Sequence, residues 1–168
     1  MSAMRKDFRI RAATLDDVSA ILELVRELAE YERLAHLVSA TEEDFRTSLF
    51  GPHPGAEALL AFEGDTAVGL AVFFHNFSTF LGRKGLWLED LFVRPAHRQQ
   101  GYGKALLLHL ARLATERGCG RFEWAALDWN TPAWEFYRAQ GATPLEDWTM
   151  FRVTGDALGR LAHSPNER

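Results

Sequence analysis

Cysteine is almost missing from this chain: Cys119 is the only one among 168 residues. A lone cysteine closes no internal disulfide, which suits a reducing compartment, and it excludes a cysteine-based zinc site. Lysine is scarce as well, with Lys6, Lys84 and Lys104 standing against a background of arginine. Long apolar runs are missing. Stretches such as 70–74 fall far short of the ~20 residues that cross a bilayer, and residues 1–11 are charged where a signal peptide would be apolar. Nor is there an excess of positive charge: the net charge is −4, which argues against a nucleic-acid partner. The six histidines are scattered without metal-ligand spacing, so no metal is expected. The expectation is a cytoplasmic protein with no membrane contact.

What remains is an ordinary globular balance, 47% apolar and 25% charged, at a length that suits one domain over 1–168. Residues 8–11 read as a first strand. Thr14-Leu-Asp-Asp17 starts a helix, and Val18, Ile21, Leu22, Val25 and Leu28 carry it at helical spacing to about Leu34. Thr41-Glu-Glu-Asp44 opens a second helix. Segments 58–62, 67–77 and 86–93 read as three strands, joined by turns at 63–65 and 82–85. A helix over 104–117, a strand over 121–127, a helix with Thr131 as its N-cap and Pro132 at its first position, and a last strand over 148–153 complete the order. Residues 163–168 read as a frayed tail. The fold class is α/β around one sheet.

Between the third of those strands and its helix lies Arg98-Gln-Gln-Gly101-Tyr-Gly103. Glycines let the backbone turn tightly and aim successive N–H groups at one point. With the positive end of the next helix they make a site for a pyrophosphate, flanked by Arg98 and Lys104. The bland alternative is a flexible connector. Two other phosphate motifs fail: Leu106 stands where a dinucleotide fingerprint needs glycine, and only Tyr102 separates the two glycines where a P-loop needs four residues.

Leu88-Glu-Asp-Leu-Phe-Val-Arg-Pro95, followed by this loop, resembles the acetyl-CoA core of the GNAT superfamily of N-acetyltransferases. Leu127-Asp-Trp-Asn-Thr-Pro-Ala133, Phe136-Tyr137 and Glu27-Leu-Ala-Glu-Tyr-Glu32 are similar to one branch of it, the diamine (spermidine/spermine) and thialysine enzymes. The resemblance spans about 8–161. It implies a mixed, mostly antiparallel sheet with a splayed strand, flanked by about four helices, and a homodimer.

It also implies roles. Acetyl-CoA would hydrogen-bond the backbone of Leu91, Phe92 and Val93. Its pyrophosphate would meet Arg98, Gln99, Gln100, Gly101, Tyr102, Gly103 and Lys104, and its pantetheine region Asn130 and Ala133. Tyr137 matches the general acid; a phenol with pKa near 10 can protonate a thiolate whose thiol has pKa near 8.5. An acceptor amine arrives charged, and removing its proton near pH 7.5 costs about 4 kcal/mol. Glu89 is favoured for that proton, with Asp90 beside it in support, because alternate strand residues face opposite sides. Tyr31 and Glu32 would line the acceptor site. Glu123, Asp128 and Glu146 would extend an acidic wall for a cationic, elongated amine, and Trp124 and Ala125 would line the same substrate site. Arg83-Lys84 departs from the polyamine pattern, so diamine, polyamine and lysine-like acceptors stay open. Acetylation of protein lysines or N-termini, and a non-catalytic CoA-binding module, are the competing readings.

Overall fold

The computed structural model describes residues 7–164. They form two compact units, one ending at Ala125 and the other beginning at Ala126. Residues 1–6 and 165–168, which include the end of the tail expected from sequence, lie outside the described residues.

The first unit is a five-stranded sheet in the order β1-β2-β3-β4-β5. β1 (Phe8–Ala12), β2 (Glu57–Glu63), β3 (Thr66–Ser78) and β4 (Arg83–Val93) run antiparallel to one another. β5 (Phe122–Trp124) joins β4 in parallel. Between β1 and β2 lie helices α1 (Val18–Tyr31) and α2 (Glu42–Phe50). Both helix starts follow the sequence signals. Asp17 accepts from the Thr14 amide at 2.7 Å, and Asp44 accepts from the Thr41 amide at 2.8 Å, so carboxylates satisfy donors that a helix start leaves orphaned. Asp17 is also clamped by the Arg11 guanidinium at 2.6 and 2.9 Å, and its carboxyl is held down to about 2.

Strand alternation decides what each helix covers. Leu60, Leu70, Val72 and Phe92 point to the face that meets Ile21, Leu24 and Leu28 of α1 and Leu49 of α2. Gly69, next to Leu70, faces the other way. A Cβ there would lie 3.3 Å from Leu106 of α3 (Tyr102–Glu116) and 3.1 Å from the Phe92 carbonyl, tight contacts that glycine relieves where that helix seats. Gly118 ends α3 with φ of 69°, the left-handed residue expected just past a helix.

The second unit holds α4 (Thr131–Ala139) and α5 (Gly155–Ala162). Two sequence expectations fail here. Segment 148–153 is not a strand: it forms no ladder, and Trp148 and Phe151 are 77% and 90% exposed. Strand preference records how a side chain fits a paired, half-buried sheet, and this segment has no paired neighbour among the described residues. The N-cap of α4 is Asn130 rather than Thr131; its side-chain oxygen accepts from the Ala133 amide at 3.4 Å. α5 was not anticipated, and β4 starts three residues before the expected Leu86. Among the described residues no helix is long and apolar enough to cross a membrane.

Candidate active site

β4 is irregular where the sequence concentrates its chemistry. Asp90 pairs with Val72 and Leu88 with Phe73, so Glu89 is an extra residue without a β3 partner, a β-bulge. On the other side of β4, the register with β5 ends at Leu88↔Trp124. Leu91, Phe92 and Val93 pair with Ala71, Leu70 and Gly69, and no β5 residue pairs with them. The backbone edge expected to receive a pantetheine arm is therefore open toward the β5 side within this unit.

Past β4, Arg94 closes on α1. Its Nε donates to both oxygens of Glu27 at 3.0 and 3.1 Å, and a terminal nitrogen donates to Glu23 at 2.7 Å. This clamp fixes the entry to the glycine loop, and it gives Glu27 of the recognised motif a structural use that spacing alone did not disclose.

The loop has the backbone an anion needs. Gln99 has φ of 62° and Gly101 φ of 83°, so two left-handed residues interrupt the turn before α3 begins at Tyr102. Such a sequence curls amide N–H groups into a concavity, and the 15-residue helix behind adds the positive end of its dipole. Nothing lies within 4 Å of a Cβ built on Gly101, so its requirement is conformational. Lys104 is exposed on the first turn of α3.

Two loop side chains also have partners within the protein. Tyr102 is 1% exposed; its hydroxyl donates to Glu63 at 2.9 Å and to Gln100 at 3.2 Å, and its ring stacks on Phe8 with centroids 4.1 Å apart. His97 Nδ1 lies 3.2 Å from the same Glu63 oxygen. The phenol thus anchors the loop to the end of β2, and Glu63 is a partner of the loop that sequence spacing gave no means to find. Arg98 donates from Nε to the Val93 carbonyl at 2.9 Å, and its guanidinium carbon lies 4.6 Å from the Tyr31 ring centroid.

Three carboxylates gather around the bulge. Asp90 is partly buried, and burial first, then the charges of Glu89 and Glu32, raises its pKa to about 6. Burial likewise raises Glu32. Glu89 is exposed and accepts from the Trp87 indole at 2.9 Å. Tyr31 is the last residue of α1 and Glu32 its C-cap, so one helix end delivers both. Glu123 is less available than its spacing implied: it accepts from Asn76 at 3.2 Å and pairs with Arg121 at 2.6 Å. Trp124 is partly buried edge-on to Phe122, and Ala125 is exposed.

In the second unit Asn130 is buried, and its capping bond engages the Ala133 amide. The Trp134 indole donates to the Leu127 carbonyl at 3.1 Å, bracing the turn before α4. Tyr137 is partly buried, its ring 5.2 Å from Phe136 and tilted 57° to it. Glu146 is exposed. Among the described residues no cluster of histidine, cysteine or carboxylate side chains is arranged to hold a metal ion.

The sequence pattern of the acetyltransferase (GNAT) family matches residues 19–142. The chain belongs to that family. It is an N-acetyltransferase. Over 165 residues it is 38% identical to a thialysine N-epsilon-acetyltransferase of Mus musculus, covering 92% of this chain and 96% of that one. An L-ornithine N5-acetyltransferase of Arabidopsis thaliana is 33% identical, with 89% and 86% covered. Among solved structures, an integron cassette protein from the mobile metagenome of V. cholerae superposes with a TM-score of 0.80 at 27% identity, over 95% of this chain and 100% of that one. The family match runs from α1 through β4 and the glycine loop to just past Tyr137. It stops short of Glu146.

Proposed function

We propose that this enzyme transfers acetyl from acetyl-CoA to the terminal primary amine of a small cationic acceptor, of the thialysine, ornithine or lysine kind, by direct attack. The observation that carries this reading is Asp90: a partly buried carboxyl with pKa raised to about 6, next to Glu89 and Glu32, on a bulged strand that leads into an anion-binding loop. A site of that charge suits an ammonium group. The curated relatives named for thialysine and ornithine support a short amino-acid-like acceptor over a long polyamine.

The chain's residues fit acetyl-CoA by their geometry. Left-handed Gln99 and Gly101 shape a diphosphate cradle at the start of α3, and β4 offers an unpaired edge at 91–93. When bound, acetyl-CoA supplies an acetyl group activated as a thioester. Gln99 through Lys104 hold its diphosphate with backbone amides and one ammonium. The 91–93 edge orients its arm, and an amide there steadies the oxyanion that develops on the carbonyl. Glu32 and Glu89 attract the acceptor's ammonium. Asp90 takes its proton, since a carboxyl poised near 6 exchanges protons at neutral pH where an ordinary one stays ionised. The division differs from that expected from the sequence, in which Glu89 took the proton. Tyr137 donates its phenolic proton to the departing thiolate, and Asn130 holds the N-terminal turn of α4 that carries it.

The resemblance also implies a homodimer, and the exposed Trp148, Met150 and Phe151 of the second unit support it, since a second copy would cover them. Light scattering of the purified protein tests this: twice the 19.0 kDa chain mass is expected, and a monomer at micromolar concentration contradicts it. The activity itself is tested by thiol release from acetyl-CoA with thialysine, ornithine and lysine. Turnover with at least one is expected.

A further inference from the structure

Arg98 touches residues assigned to both substrates. It opens the anion-binding loop, yet its Nε is committed to the Val93 carbonyl at 2.9 Å, at the end of β4. Its guanidinium carbon lies 4.6 Å from the centroid of Tyr31 and 5.6 Å from that of Phe92. Beyond that Nε bond, its nitrogens make no hydrogen bond among the described residues. Tyr31 is the last helical residue of α1, the next residue is Glu32, and the Glu32 charge acts on Asp90. All of these residues belong to one compact unit.

We propose that Arg98 is a positioning residue that couples the two sites, its guanidinium passing the arrival of a CoA diphosphate to the Tyr31–Glu32 end of α1. The proposal rests on the reading of the glycine loop as the CoA site. A guanidinium is planar, so one group can hold a carbonyl through Nε, lie on an aromatic face and still offer its outer nitrogens to an anion. A diphosphate on those nitrogens fixes the plane, and the fixed plane holds the Tyr31 ring. The acceptor then meets a helix end that is already ordered, which favours its binding without any new contact. Such coupling is reciprocal by thermodynamic necessity. A lysine keeps the charge but lacks the plane.

Hydrogen exchange read by mass spectrometry on the full chain, with and without saturating CoA, tests this without needing the physiological acceptor. In the wild type, CoA is expected to slow exchange at least fivefold both in the loop, 98–104, and in the α1 end, 28–34. In Arg98→Lys, at CoA raised to saturation, the loop is still protected while the 28–34 response falls below twofold. Tyr31→Leu, which leaves the loop intact, gives the same split and covers the case in which Arg98→Lys does not fold. Undiminished 28–34 protection in either folded variant, or none in the wild type when its loop is protected, overturns the coupling. No protection of the wild-type loop overturns the CoA reading itself, and the coupling with it.

Discussion

The Tyr102 hydroxyl donates to Glu63 across 2.9 Å, tying the first residue of α3 to the last residue of β2. The bond fixes the α3 end of the glycine loop from behind, while the Arg94 clamp on Glu23 and Glu27 fixes its entry. A loop held at both ends presents its amides in one arrangement, and binding then costs less ordering. Removing the hydroxyl loses about 0.5–1.5 kcal/mol of hydrogen bonding and leaves the phenyl stack on Phe8 in place. Tyr102→Phe should therefore weaken CoA two- to tenfold, measured by calorimetry, while the Michaelis constant for the acceptor stays within twofold.

Asp90 makes a prediction that runs against the usual cost of core substitution. Burial and two neighbouring acids favour its neutral form in the folded state, raising its pKa from the ordinary 3.8 to about 6. The folded chain therefore holds that proton more tightly than the unfolded one, and stability declines as pH rises from about 4 through about 6. At about 1.4 kcal/mol per pH unit, the cost above that window is at most about 3 kcal/mol. Asp90→Asn removes it. The variant should melt several degrees above the wild type at pH 8 and nearly level with it at pH 4, and lose most turnover at pH 8. Calorimetric melting curves at the two values check the sign.

Tyr137→Phe should lower kcat by about 10²–10⁴ with CoA affinity unchanged, as expected for a residue that acts only on the leaving thiolate. Steady-state kinetics beside a CoA titration separate the two effects. A change confined to affinity would remove Tyr137 from the acid role.

Gly101 tests the loop by conformation alone. Its φ of 83° is costly for any residue with a Cβ, although nothing lies close enough for a Cβ to strike. Gly101→Val should raise the Kd for CoA at least tenfold and destabilise the fold by about 1–2 kcal/mol, read from urea unfolding. Gln99→Gly should do the reverse to stability, because Gln99 already holds φ of 62° with a side chain attached.

The parts of this protein legible in the sequence are those with local causes. The capping boxes at Thr14 and Thr41, the α1 stripe from Val18 to Leu28 and the left-handed Gly118 each follow from a few neighbouring residues, and each is present. The resemblance located β4 and its loop, and the bulge at Glu89 lies where the reactive carboxylates were expected. What could not be read depends on distant partners. Glu63 lies 39 residues from the Tyr102 it anchors. Glu123 has the composition of an acidic wall but is engaged by Asn76 and Arg121. The charge of Arg98 was visible, but its seat on Tyr31, far along the chain, was not. Segment 148–153 has strand-like composition and no ladder, because a strand is made by its neighbour as much as by itself.

The central claim, acetyl transfer from acetyl-CoA to a small cationic amine, is tested most directly by following CoA thiol release with thialysine, ornithine, lysine, putrescine, spermidine and a lysine-containing peptide. The account predicts strong turnover with a short amino-acid-like amine and little with the peptide. Tight acetyl-CoA binding without turnover of any small amine would contradict it.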